Sequence, residues 1–392
     1  MEGEIMSKTN SVLFFLVVFL SMPALSYAQK VETKDGVRII HNEKGGKWGK
    51  DLRISLQLIR TLGGIDVEDE NLAFHSPEDM VMDAEEKIYI LDSGNHRIQI
   101  FSPKGKYLRT IGRLGQGPGE FRQPLSIDID SRGYLYVLGR WNNRIQVLTP
   151  EGKAYKTALL ISDHSGKVRC VKPGLMAMGG ITGIAWVRAK EMKYPKLMQV
   201  LDLEGNVKQE FGEMIEFGNK LGTWWANWLY FDIDREGYFY FSFMRQNLIE
   251  KYSPEGRLLW RADRVLNYSM RPQDEYGVFF GGIGKAPGPP QASSGIAVDE
   301  KRRVWVVTLN RQLKKEEQSS TTTSERGVIG RKEGEEVKKM DIYKLEIFDP
   351  DGILLGEIPL NHIAHGIHIQ KNFLLIKDME NCKFYQYKII EK

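Results

Sequence analysis

Residues 129–152 read IDSRGYLYVLGRWNNRIQVLTPEG, and this stretch decides the fold. An apolar residue and Asp130 lead into a short polar run, then into alternating aromatic and branched residues. That is the pattern of a strand, a tight turn and a second strand. A third apolar run, Ile145 to Leu148, ends in TPEG. Pro150 presets φ at the first turn position, and Gly152 takes the positive φ that closes a hairpin.

Both halves of the phrase recur along the chain. The Asp-containing half returns as MDAEEKIYIL (82–91), IDREGYFYFS (233–242) and VDEKRRVWVV (298–307). The Pro-Gly half returns as FSPKG (101–105), LDLEG (201–205), YSPEG (252–256) and FDPDG (348–352). Counting LTPEG (148–152), successive closing glycines lie 47, 53, 51 and 96 residues apart. Repeats of roughly 40 to 50 residues with several short strands each mark propeller blades, because one small sheet cannot bury both faces until neighbours stack on it. The last interval is one period plus extra loops. Naming strands a to d outward from the channel, each blade runs a, Asp turn, b, loop, c, Pro-Gly turn, d.

Strand a opens near Asp79, Leu125, Val168, Leu229, Ser294 and Gly366, which makes six blades, the third being the most degenerate. The sixth runs out of chain: residues 371–378 supply b, residues 383–390 supply c, and nothing remains for d. A surplus strand, DLRISLQLIRTLG (51–63), precedes the first blade. Pairing it onto Tyr385 to Ile390 closes the ring and removes two exposed edges. The expected fold is therefore all-β, a six-bladed β-propeller of four-stranded antiparallel blades closed by an N-terminal strand joining the C-terminal blade. It occupies 51–392, after a lead-in at 29–50.

The b to c stretch YILDSGNHRIQIF (89–101) matches YVLGRWNNRIQVL (136–148), and GQGPGEF follows at 115–121. In these motifs the chain resembles the NHL-repeat proteins, and more narrowly the bacterial six-bladed propellers with a GNHRIQ-like turn. The resemblance spans roughly residues 50 to 390, is strongest in blades 1 and 2, and implies a fold and a binding role without a single activity.

The composition agrees with a folded domain: of 392 residues, 42% are hydrophobic and 27% charged. Disorder of the whole chain is thereby excluded. A net charge of +4, with no basic run interleaved with aromatics, argues against nucleic acid as partner. Residues 1–28 read as a signal peptide: Lys8, then apolar Val12 to Leu20, then Ser26-Tyr27-Ala28 before Gln29. The apolar run is too short to span a bilayer, and no later segment is a transmembrane candidate. The expected location is periplasmic or secreted. Cys170 and Cys382 are far apart in sequence and read as free thiols.

In a propeller the b–c and d–a loops share one face, and the tight turns share the other. The long segments 112–124, 217–228, 263–291 and the insertion 311–340 all fall on the first face, so recognition is expected there. The insertion, rich in Ser, Thr, Lys and Glu, reads as a mobile loop. Trp141, Trp224, Trp225, Trp228, Tyr276 and Phe279 are the candidate ligand-binding residues, suited to stacking on a carbohydrate or gripping a peptide or surface protein. The alternative is that some tuck between blades as core, as Trp186 and Trp305 are expected to do. His75, His362 and His365, with Glu78, are candidate ligands for a divalent metal at the channel mouth. Amidating lyases among the NHL-like propellers hold zinc with channel histidines. On that alternative the chain is a metal-dependent lyase or hydrolase. No phosphate loop, nucleophile elbow, H-E-x-x-H or Cys-x-x-Cys is present, so no cofactor beyond such a metal is expected.

Overall fold

The computed structural model describes residues 30–65, 67–139, 143–160, 166–179, 194–280, 284–314, 322–323, 329–330 and 341–392, with backbone alone described for 274–280, 284–287, 322–323 and 329–330. Six four-stranded antiparallel blades stand in a ring. Blade 1 is Pro77–Met82, Ile88–Asp92, Arg97–Phe101 and Tyr107–Ile111. Blade 2 is Pro124–Ile129, Leu135–Gly139, Arg144–Leu148 and Ala154–Leu159. Blade 3 is Lys167–Lys172, Leu175–Gly179, Met198–Asp202 and Val207–Phe211. Blade 4 is Leu229–Ile233, Phe239–Phe243, Leu248–Tyr252 and Leu258–Asp263. Blade 5 is Ser293–Val298, Val304–Leu309, Tyr343–Phe348 and Leu354–Pro359. Blade 6 takes Ile367–Gln370, Phe373–Asp378 and Lys383–Glu391 from the C-terminus.

Three N-terminal strands complete the architecture: β1 (Lys30–Lys34), β2 (Val37–His41) and β3 (Ile54–Gly63). As expected, β3 is the outer strand of blade 6, running from Ile54 opposite Glu391 to Gly63 opposite Lys383. The lead-in also belongs to the fold, which the sequence reading missed. The β1–β2 hairpin adds to blade 4, where β2 runs parallel to Leu258–Asp263. Buried Asn42 donates to Asp263 O and Gly352 O and accepts Leu354 N at 2.7 Å, which ties blade 4 to blade 5. Two residues of apolar patterning, Ile39 and Ile40, are too short a signal to distinguish such a strand from a linker.

Buried apolar side chains form six clusters, one at each contact between neighbouring blades. Each blade is thus sandwiched, and the alternation of apolar residues on both faces of b and c follows from that double burial. The repeated Asp explains itself in the turns. Asp234 Oδ1 accepts Glu236 N and Tyr238 N, and its Oδ2 accepts the Tyr240 hydroxyl at 3.0 Å. Asp83 with Tyr89, Asp130 with Tyr136, and Asp299 with the indole of Trp305 repeat the arrangement. One carboxylate therefore closes the turn and anchors the aromatic six residues on. The Pro-Gly turns also behave as expected. Gly352 has φ +84°, and a Cβ there would meet the Trp260 ring at 3.0 Å.

Inner strands expose an edge to the channel, and its backbone groups need partners. Side chains from neighbouring blades supply them. Asp79 accepts Ile127 N, Ser126 accepts Val168 N, Asp128 accepts Cys170 N, Asp232 accepts Val298 N, and His368 Nε2 accepts Met82 N. Ser294 donates to Ala364 O. The ring is thus stitched along its axis as well as closed at its rim.

Candidate functional site

On the long-loop face, residues 217–228 are not the irregular loop expected from sequence. Lys220–Ala226 form a short helix, α1, whose N-cap Asn219 accepts Gly222 N at 2.7 Å. The helix forms because Leu221 and Trp224 lie one turn apart and both find burial. Its end is locked by Asn227, fully buried, which donates to Ile215 O and Thr223 O and accepts Ile215 N. Gln246, in the b–c loop of blade 4, donates to Ala226 O and so fastens that loop to the helix.

This fastening brings Trp224, Trp225 and Trp228 together, with centroids 5.1 to 6.0 Å apart, and sets the Arg245 guanidinium 4.5 Å from the Trp225 ring. Trp224 is core, at 5% exposure, and is withdrawn from the contact surface; the helix turns it inward. Trp225 and Trp228 are half-buried. Tyr276 and Phe279 fall in a hairpin, Gln273–Phe280 with Gly284–Gly288, on the same face, and their side chains lie outside the description. Trp141 and Trp186 lie outside the described residues.

The indole N–H of Trp260 donates to Pro350 O, and that of Trp305 to Asp299. Among the described residues those of Trp225 and Trp228, and Arg245 Nε, are buried with no partner. Arg245 Nη1 donates to Pro289 O at 2.5 Å, but no carboxylate pairs with the guanidinium among the described residues. Burial without an anion pulls Arg245 down to about 10, slightly countered by Tyr230. Buried donors left unpaired each cost about 1 to 3 kcal/mol, and a concentration of them in one place calls for a reason.

The opposite, tight-turn face holds a cavity of about 890 Å³, which the sequence reading did not foresee. Its floor is formed by Asp128, Arg169, Asp232 and His368 from four inner strands. Behind it, Asp79 meets Lys167 at 2.5 Å and Arg169 at 3.5 Å. Burial pushes the Asp79 carboxyl up, yet Lys167, Arg169 and Lys377 together hold it well below the usual range. Asp128, half-buried at this floor, is pushed up to about 6 by the loss of water around its carboxyl, although Arg169 opposes the shift. His368 is forced down to about 3 by burial and by Arg169, so it stays neutral and accepts a backbone N–H. Polar inner-strand positions such as Asp128 were the available signal. The carboxylates and imidazole of this floor already serve as acceptors for neighbouring blades, so the cavity's chemistry is largely engaged in holding the ring together.

His362 and His365 each have their own partners. The His75 ring packs against Gly94. His362 uses Nδ1 on Ile363 O and Nε2 on the Tyr387 hydroxyl at 2.7 Å, and stacks on Tyr385. His365 Nδ1 accepts Met379 N, and its Nε2 lies 3.9 Å from Glu380. Among the described residues no group of three His, Cys, Asp or Glu side chains is arranged to hold a metal ion. Both cysteines are free thiols, as expected, and Asp92 pairs with Arg97 at 2.8 Å.

No curated protein matches the chain. A family model described as DUF5128, 6-bladed beta-propeller, matches residues 69–156, which are blade 1 and most of blade 2. A member of the DUF4221 family from Bacteroides vulgatus is similar in structure, with TM-score 0.53 and 11% identity over 87% of this chain and 99% of that one. A Bacteroides fragilis NCTC 9343 protein, named for its inferred export, is similar with TM-score 0.56 and 11% identity, over 90% and 99%. At such identities the likeness is one of fold. Among the described residues no helix is long and apolar enough to cross a membrane. The family-model match, the likeness over nearly the whole chain and the observed ring together make this protein a six-bladed β-propeller.

Proposed function

We propose that this chain is an exported, periplasmic or secreted, binding protein that recognises a carbohydrate or peptide on the long-loop face of its propeller. The observation that carries this reading is the fastened platform of Trp225, Trp228 and Arg245, where three buried donors lack partners among the described residues. Half-buried aromatics held by a rigid scaffold offer contact area at small entropic cost. The signal-like residues 1–28 support export.

Glycan and peptide arrays probed with the mature protein test it. Trp225→Ala and Trp228→Ala are expected to abolish the signals seen with the natural protein while both variants keep a cooperative thermal transition. Trp224→Ala, which hollows the core, is expected to lower the transition itself, because truncating a buried Trp costs about 3 to 5 kcal/mol. Undiminished binding by both surface variants would overturn the assignment of the face.

A further inference from the structure

Arg245 narrows the chemistry of what this face would take; the inference rests on the platform reading above. An arginine is rarely buried without a carboxylate, because removing a guanidinium from water is costly unless an anion compensates. The two fully buried arginines obey that rule: Arg169 lies between Asp79 and Asp232, and Arg264 sits 3.1 Å from Glu346, whereas Arg245 is half-buried. Arg245 departs from it. Among the described residues it meets one carbonyl, Pro289 O, and the Trp225 ring, and its Nε is buried with no partner there. The guanidinium is also not idle packing, since Gln246 beside it anchors the loop to α1 and fixes where it points.

We infer that Arg245 is the recognition group for a carboxylate on the ligand, and that the ligand is an acidic saccharide of the uronic-acid type. A guanidinium presents paired N–H donors that match a carboxylate geometrically. The tryptophan rings beside it match the apolar face of a pyranose, which places a ring carboxylate next to the cation. A peptide fits less well, since extended peptides gain affinity by adding to a free strand edge, and this platform is built from a helix and two loops.

Isothermal titration with tetragalacturonate and with its fully methyl-esterified form, which keeps the rings and removes the charge, tests the inference directly. The free acid should bind the natural protein about tenfold to a hundredfold more tightly than the ester, as expected for a charge-assisted pair. Its affinity should weaken as salt is raised. Arg245→Gln should erase the preference, and Arg245→Lys should restore part of it, with both variants checked for an unchanged thermal transition. Equal affinity for acid and ester, with Trp225→Ala abolishing both, would sink the carboxylate inference and leave the platform standing. Binding of an acidic peptide but of neither saccharide would overturn the saccharide class. Binding of the acid undisturbed by Trp225→Ala, Trp228→Ala and Arg245→Gln would overturn the inference and the platform together.

Discussion

Removing the Asp234 carboxylate should expose how much of the propeller's stability rests on its repeated turn. Asp234→Ala strips the acceptor from Glu236 N and Tyr238 N, both 3.0 Å away, and from the Tyr240 hydroxyl, also 3.0 Å away. The two amides lie in a surface turn and can turn to water, so their loss costs about 0.5 to 1 kcal/mol each. Tyr240 is fully buried between blades 4 and 5, and its hydroxyl would have no replacement, adding about 1 to 3 kcal/mol. The expected total is about 3 kcal/mol, a large fraction of a typical folding free energy. Tyr240→Phe removes the donor instead and should cost about 1 kcal/mol. The double variant should be less destabilised than the sum of the singles by about 1 kcal/mol or more, because the orphaned hydroxyl vanishes with its partner. Urea unfolding followed by tryptophan fluorescence supplies all four corners of the cycle. Strict additivity, with a coupling below about 0.5 kcal/mol, would refute the claim that one carboxylate serves both turn and core.

Two further outcomes follow from the ring. Asp128 has its carboxyl pushed up to about 6 in the folded chain, above its unfolded value, so its protonated form favours folding and that contribution is lost as pH rises from about 4 through 6. Asp128→Asn should therefore improve its thermal midpoint relative to the natural protein more at pH 7.5 than at pH 5, and a pH-independent difference would contradict the burial of that carboxyl. Asn42→Ala should cost about 2 to 4 kcal/mol in chemical unfolding, because Leu354 N and the carbonyls of Asp263 and Gly352 lose their partner in a buried site. A neutral outcome would mean the lead-in hairpin is dispensable.

Blade count, strand order and ring closure were legible in the sequence because each rests on local chemistry: Asp for the a–b turn, Gly for positive φ, and alternation for a doubly covered sheet. The surplus strand at 51–63 and the missing one after Ile390 could be matched by counting alone. The hydrogen bond from Tyr240 to Asp234 was present as a repeated spacing, Asp followed six residues later by an aromatic, and needed only the strand geometry to become a contact. The face carrying long loops could likewise be named, since loop length is written in the chain.

What the residues in isolation could not decide is which polar groups end up without partners. Trp224, Trp225 and Trp228 are indistinguishable as letters, and only the turn of α1 against blade 4 sends the first inward and leaves the others at the surface. Arg245 carries no motif, and its lack of a carboxylate among the described residues is a property of everything packed around it. The axial cavity and its floor are assembled from four inner strands separated by up to 240 residues, from Asp128 to His368. Periodicity and turn chemistry act over a few residues and so survive in the linear text, whereas burial and charge pairing are sums over distant neighbours and exist only once the ring has closed.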